Sequence, residues 1–202
     1  NRSSFQSISI RYNSNLKRIN AYTFYNLTNL EELRLDRNEI EIIEAHSFVD
    51  LPQLLFIVLD SNRIRELFSF TFSDIKSLKE IQLETNEISL IHERSFVNLT
   101  NLTRLILMRN SLRSIDANFI QNSPLLTEFL IGGNGFSPLD RFLFSNDDKH
   151  LLIAGYNIDD LSELNRLIQE STETVRFIFN QIKVLYIGEM FLSVKFISIY
   201  SC

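Results

Sequence analysis

A 24-residue period constrains this chain more than any other feature. The stretch LEELRLDRNEIEII begins at Leu30. Shifted by that period it returns as LLFIVLDSNRIREL from Leu54, LKEIQLETNEISLI from Leu78, LTRLILMRNSLRSI from Leu102 and LLTEFLIGGNGFSP from Leu126. An asparagine recurs at Asn38, Asn62, Asn86, Asn110 and Asn134. A second apolar block follows each copy: Phe48, Phe72 and Phe96, with Ile120 in the next one, and then Leu51, Ile75 and Leu99. Neither a helical nor a strand period spans such a block, whereas a stacked unit does.

One unit of this length cannot bury its own apolar face, so neighbours stack and share a continuous core. Within each LxL triplet the outer side chains point inward and the residue between them points out, because side chains alternate along a strand. This places strands near Leu33, Ile57, Ile81, Leu105 and Phe129. The asparagine stands where the chain turns away. Its short amide can bond backbone groups of adjacent turns that burial would otherwise leave unpaired. Phe48, Phe72 and Phe96 are expected to stack as a column that fills the wider, convex side.

The pattern LxxLxLxxNxIxxIxxxxFxxLxx, carried by the residues above, resembles the leucine-rich repeat family in its typical extracellular form. The resemblance implies an α/β fold. That fold is a curved leucine-rich repeat solenoid with about nine short parallel strands on the concave face and a mostly irregular or short-helical convex side. It also implies an extracellular or cell-surface setting.

The ends follow the pattern less closely. Phe5, Ile8, Ile10 and Asn13 fit the strand block, with one extra residue before the next copy. Past Asn134, Phe136, Leu139 and Phe144 keep phase, Leu152, Ala154 and Asn157 fit poorly, and Val175, Phe177, Asn180, Ile182 and Leu185 restore it, with Met190 in the phenylalanine slot. Between these, Leu161, Leu164, Leu167 and Ile168 share one helical face of DDLSELNRLIQE, 159–170, which Asp159 or Asp160 can cap. Val194, Ile197, Ile199 and Cys202 match a last strand block, with Cys202 in the asparagine slot or, in the other reading, held for an intermolecular disulfide. Residues 1–202 therefore read as a single domain. The resemblance implies cysteine-rich caps, and the sequence has one cysteine only. The chain thus reads as a fragment, a natural short form, or a solenoid whose ends a partner covers.

Catalytic chemistry finds no support. No G-x-S-x-G, phosphate loop or dinucleotide fingerprint occurs, and no enzyme or cofactor is expected. His46, His92 and His150 fall at different repeat positions, which excludes a zinc cluster with the lone cysteine. Asp36, Asp60 and Glu84 line up on successive strands, but a column on a sheet is not the oxygen cage calcium needs. The formal net charge of -5 argues against nucleic acid, whose binding leans on Lys and Arg. No apolar run is long enough to span a bilayer; the nearest, FLSVKFISIY at 191–200, contains Lys195 and alternates like a strand. No secretory signal heads the chain, as would also hold after its removal. Sequons occur at Asn1, Asn26, Asn98 and Asn101, the last three on segments leading into strands, where glycan would leave the concave surface open.

Register then fixes the binding surface. Arg34, Val58, Gln82, Ile106 and Leu130 occupy the middle of each triplet and face outward, with Met108 and Arg109 just beyond Ile106. The first half of this face is polar apart from Phe56 and Val58, and the second half is apolar. An exposed patch centred on Ile106, Met108 and Leu130, rimmed by Arg104 and Arg109, is the expected ligand site, and its arginines favour an acidic partner. The expected function is recognition of a protein or peptide through the concave face. The resemblance implies innate immunity, adhesion or receptor signalling as settings. A matrix-type scaffold that self-associates through its open ends is the alternative.

Overall fold

Stacking explains the architecture from the inside out. The computed structural model describes residues 5–135, apart from positions 114, 116, 127 and 132, together with the strands Val184–Ile187 and Met190–Ser193. One eight-stranded sheet runs in chain order through Ser7–Ser9, Glu32–Arg34, Phe56–Val58, Glu80–Gln82, Arg104–Ile106, Glu128–Leu130, Val184–Ile187 and Met190–Ser193. The strands expected near Leu33, Ile57, Ile81, Leu105 and Phe129 are all present. Their register is the repeat period: Ile57 pairs with Leu33 and Ile81, and Leu105 with Ile81 and Phe129. We call the strands from Ser7–Ser9 to Glu128–Leu130 the first to sixth rungs.

Two expectations change at the far end. Leu185 lies in a strand paired in parallel with the sixth rung, and Met190 opens a strand paired antiparallel to that one. Neither fills the post-strand slot that the repeat phase assigns it. The expected blocks at 136–144, 152–157, 175–182 and 194–202, and the helix at 159–170, lie outside the described residues.

Between the sheet and the outer side the apolar side chains form one continuous core. Leu30, Leu33, Leu35, Ile40 and Ile43 of one turn are fully buried, as are Leu54, Ile57, Leu59, Ile64 and Leu67 of the next. Each such side chain contributes up to about 2 kcal/mol of burial, an upper bound set by the unfolded reference. Phe24, Phe48, Phe72 and Phe96 stack near-parallel with ring centroids 5.7, 5.5 and 5.2 Å apart. The next ring is not at Ile120. Ile120 pairs with Phe96 through the backbone, but Phe119, in the 3-10 turn Ala117–Phe119, meets the Phe96 ring edge-on at 5.9 Å and passes the column on to Phe129. The convex side is also more regular than expected. Two-residue strands such as Phe48–Val49, Phe72–Ser73 and Phe96–Val97 form small parallel sheets of their own.

Asparagine closes every turn. Asn86 accepts from the Ile64 N–H at 3.2 Å and donates to the carbonyls of Leu59 and Leu83, both at 3.1 Å. Asn38, Asn62, Asn110 and Asn134 repeat the arrangement. A buried hydroxyl one residue before Phe48, Phe72 and Phe96 adds a second ladder. Ser47 and Ser95 each donate either to the carbonyl three residues back or to one in the preceding turn.

The turn after each strand needs a left-handed residue. Arg37, Ser61, Thr85 and Arg109 sit at φ 58, 56, 55 and 52°, and Gly133 takes the same position at 73°. The N–H of Arg37, Ser61 and Thr85 there donates to a carbonyl of the next rung at 2.9–3.0 Å, which holds an otherwise unfavourable conformation.

Two stability outcomes follow. Asn86→Ala leaves the Ile64 N–H without a partner and takes one of two donors from each of the Leu59 and Leu83 carbonyls, which keep Asn62 and Asn110, and should cost about 2 kcal/mol in urea denaturation. Thr85→Gly relieves a β-branched residue at positive φ and should be neutral to stabilising, by up to about 1 kcal/mol, on the same measurement.

Candidate functional site

The concave sheet presents side chains in columns because the register never slips. Ser7, Glu32, Phe56, Glu80, Arg104 and Glu128 form one column, and Ser9, Arg34, Val58, Gln82, Ile106 and Leu130 the next. Asp36, Asp60, Glu84 and Met108 continue outward along their strands.

The expected apolar patch is largely covered. Ile106 is 7% exposed and Leu130 5%, although neither belongs to the interior cluster. They do face the concave side, but rungs stand only about 4.8 Å apart, so longer neighbours close over a mid-triplet side chain. Met108 is half-buried and Arg109 exposed. Arg104 lies between Glu80 at 3.5 Å and Glu128 at 3.1 Å, and Arg109 reaches Glu84 at 3.7 Å. Both guanidiniums are already compensated, which removes the ground for expecting an acidic partner. At this position the structure brings together part-buried Arg104 and Met108 and exposed Arg109, beside the buried Ile106 and Leu130. The continuation of this face past Leu130, on the strand blocks expected at 152–157 and 175–182, lies outside the described residues.

The third rung carries the feature that sequence reasoning set aside. Phe56 is 38% exposed, a large apolar side chain in view at the centre of the described concave face. Its register partners on either side are carboxylates, Glu32 and Glu80. The signal was present in the sequence as a lone aromatic at an outward position, but it looked like an exception to a polar half.

Most charges on this face are paired, within a rung or with the next one. Asp36, 4% exposed, is held by Arg11 at 2.7 Å, with Arg34 at 3.7 Å and Arg37 at 4.0 Å. Glu32 pairs with Arg34 at 3.1 Å. Asp60 differs. Among the described residues no cation pairs with it, and its Oδ1 accepts from the Glu84 N–H at 2.6 Å. Burial pushes its carboxyl from 3.8 up to about 6; that hydrogen bond pulls downward, and the charges of Glu84, Asp36 and Glu80 add to the rise.

Other candidate groups stay apart. His46 stacks between Tyr22 and Phe70 at 6.4 and 5.9 Å, while His92 stacks on Phe68 at 5.7 Å and bonds Glu66, in a separate column. Among the described residues no cluster of His, Cys, Asp and Glu could hold a metal, and no helix is long and apolar enough to cross a membrane. His150 and Cys202 lie outside the described residues. Beside the concave face a shallow groove of about 380 Å³ opens among Tyr12, Ser14, Arg37, Ser61 and Arg63. Its guanidiniums are engaged, Arg37 with the Tyr12 hydroxyl and Arg63 with Glu39 at 3.1 Å.

The sequon asparagines are unequal. Asn98 donates to Asp74 at 2.8 Å and accepts from Asn122 at 2.8 Å, within a flank ladder. Asn101 is exposed but donates to the Lys76 carbonyl at 2.8 Å. Asn26 is exposed, sits in the left-handed region at φ 56°, and has an amide that no described residue engages.

Comparison with known proteins agrees with this geometry. The family model for the leucine rich repeat matches residues 3–64, 56–112 and 76–136. Epiphycan of Gallus gallus is 47% identical over 57 residues, 28% of this chain and 18% of that protein. The crystal structure of a TLR13–ssRNA13 complex superposes with a TM-score of 0.58 at 31% identity, covering 66% of this chain and 18% of that one. The chain thus spans under a fifth of the length of either relative.

Acidification tests the Asp60 environment. A folded-state pKa above the unfolded one means that the group favours the fold only while protonated, below about pH 4, and loses that contribution as pH rises through about 6. Asp60→Asn keeps an acceptor for the Glu84 N–H. It should match the wild type at low pH and exceed it by about 1 kcal/mol above neutrality, a figure discounted for partial exposure. Denaturant midpoints across that range measure the difference.

Proposed function

The chain belongs to the leucine-rich repeat family, and we propose that it is an extracellular protein-recognition module that binds a protein or peptide ligand through its concave face. The observation that carries the reading is the row of six parallel rungs, whose outward side chains the asparagine ladder beneath holds in register. Such a face costs little ordering on binding. Innate immunity, adhesion and receptor signalling are the settings this reading covers, and it invokes no catalysis and no cofactor. Arg104, Met108 and Arg109 supply the accessible contacts at the fifth rung, over Ile106 and Leu130.

The TLR13 neighbour was solved with single-stranded RNA. For this chain we favour protein over nucleic acid. Phosphate binding needs uncommitted Lys and Arg, and Arg11, Arg34, Arg104 and Arg109 each stand within 4 Å of a carboxylate on the same face. One observation favours the second reading, self-association, here through the first described turn: Phe5, Ile10, Tyr12, Tyr22 and Tyr25 are all exposed on it. Sedimentation velocity separates the two, since end-to-end stacking makes the sedimentation coefficient rise with concentration.

Capture from extracellular fluid tests the concave reading. Charged substitutions at Ile106 or Leu130 would disturb a packed floor, so Met108→Glu with Arg109→Ala is the informative pair. The folded double variant should lose at least about tenfold of its principal partner; retention of every partner would move the site elsewhere. For the glycan we propose Asn26 as the site preferred over Asn98 and Asn101. Peptide mapping after glycosidase release, when the protein is secreted from a eukaryotic cell, should find Asn26 occupied and Asn98 mostly unmodified.

A further inference from the structure

We infer that the middle of the concave face is a seat for a basic polypeptide segment, one arginine or lysine of which lies over the Phe56 ring between Glu32 and Glu80 while a second answers Asp60. This rests on the reading of the concave face as the binding face and specifies the chemistry of what it binds.

Three features of the third and fourth rungs converge. Phe56 holds its ring in water with a carboxylate at the paired position on each side. In the free protein that placement buries little apolar surface. Beneath a cation it gains the attraction of the ring face, while Glu32 and Glu80, already held by Arg34 and Arg104, add a screened share. Next, the outward residues of these rungs are Phe56, Val58, Asp60 and Ser61, then Glu80, Gln82, Glu84 and Thr85, with no base among them. The arginines of the flanking rungs are committed to Glu32, Asp36, Glu80, Glu84 and Glu128. Among the described residues Asp60 is left without a counter-charge.

The face around Asp60 is therefore incomplete. The second rung offers it Asp36, with Arg34 and Arg37 drawn toward that carboxylate; the fourth offers Glu80, Glu84 and the Thr85 turn. Every near acidic neighbour opposes its ionisation. A ligand cation would remove that penalty, so binding gains where the free protein loses. Phe56 opens the third rung and Asp60 stands two residues past its last residue, Val58, about 13 Å along extended backbone. An extended segment with cationic side chains four residues apart spans the same distance.

The test uses two labelled peptides, each with a pair of charged residues four apart in a glycine–serine background, one with arginines and one with glutamates. They are titrated into the intact protein near neutral pH while backbone amides are followed by NMR. The arginine peptide should shift the amides around Phe56, Asp60 and Glu80, and the glutamate peptide should not. Phe56→Ala and Asp60→Asn should each weaken the arginine peptide by about fivefold. Affinity should fall between about pH 7.5 and about pH 5 in the wild type, and that fall should flatten in Asp60→Asn. Equal response to both peptides, shifts spread over flank acids such as Glu41 and Glu87, or unchanged affinity in both variants would overturn the inference. Circular dichroism melts check folding, and Phe56→Leu stands in for Phe56→Ala if the latter does not fold. Should the captured partner depend on Met108 while the peptides ignore Phe56 and Asp60, this inference alone falls. A partner indifferent to every concave variant overturns the recognition reading beneath it.

Discussion

The asparagine ladder is the constraint on which everything else in this molecule depends. A solenoid turn must bend its backbone sharply inside a packed core, where unpaired N–H and C=O groups cost most. Asn110 shows how one side chain meets that demand. Its oxygen takes the Ile88 N–H at 3.0 Å, and its nitrogen serves the carbonyls of Leu83, Leu107 and Met108 at 2.9, 3.1 and 3.1 Å. The groups it joins belong to adjacent turns as well as its own. Each asparagine therefore sets the shape of its turn and also the phase of the next. A slip by one residue would strand a buried donor, which is why the period holds so strictly from Asn38 to Asn134.

Curvature follows from what fills each side. Strands of the main sheet are held at the ordinary hydrogen-bonded spacing of about 4.8 Å. On the opposite side, phenylalanine rings stack at 5.2–5.7 Å between centroids. Thick rings behind and thin backbone in front force the stack to bend toward the sheet, so the sheet becomes concave. The same bend crowds the outward side chains of neighbouring rungs. Ile106 and Leu130 disappear beneath longer neighbours for this reason, while Phe56, a large ring at the start of its strand, stays in view.

Much of this was legible in the sequence because in-or-out direction is a matter of period alone. The strand positions, the asparagine contacts and the phenylalanine column came from counting residues. Degree of exposure is a different quantity. It depends on how long the neighbours are and on how the sheet curves, so Ile106 was assigned the right face and the wrong accessibility. The buried hydroxyl ladder had a plain signal, Ser47, Thr71 and Ser95 each before a phenylalanine, but small polar residues raise no apolar period and passed unread. The shift from Ile120 to Phe119 required the 3-10 turn Ala117–Phe119, a local change of pitch that a fixed template cannot express. At the candidate site, the sequence showed the acids and arginines but not which were paired. Pairing is a matter of distances between rungs, and it is what isolates Asp60.

A ladder that specifies the fold from inside frees the outward columns to vary. Leu33, Ile57 and Ile81 are fixed by the core, whereas Arg34, Val58 and Gln82 beside them share no chemical character at all. Stability drawn from the interior also lets the face hold arrangements that do not favour folding. Asp60 is one: it sits part-buried near three other carboxylates, and its ionisation is opposed by each of them. Phe56, a large ring left 38% exposed, is another. Both belong to the third rung and the turn that follows it. Local choices that conflict with folding while the rest of a repeat agrees with it are where binding is to be sought, and in this chain they converge on one rung and its turn.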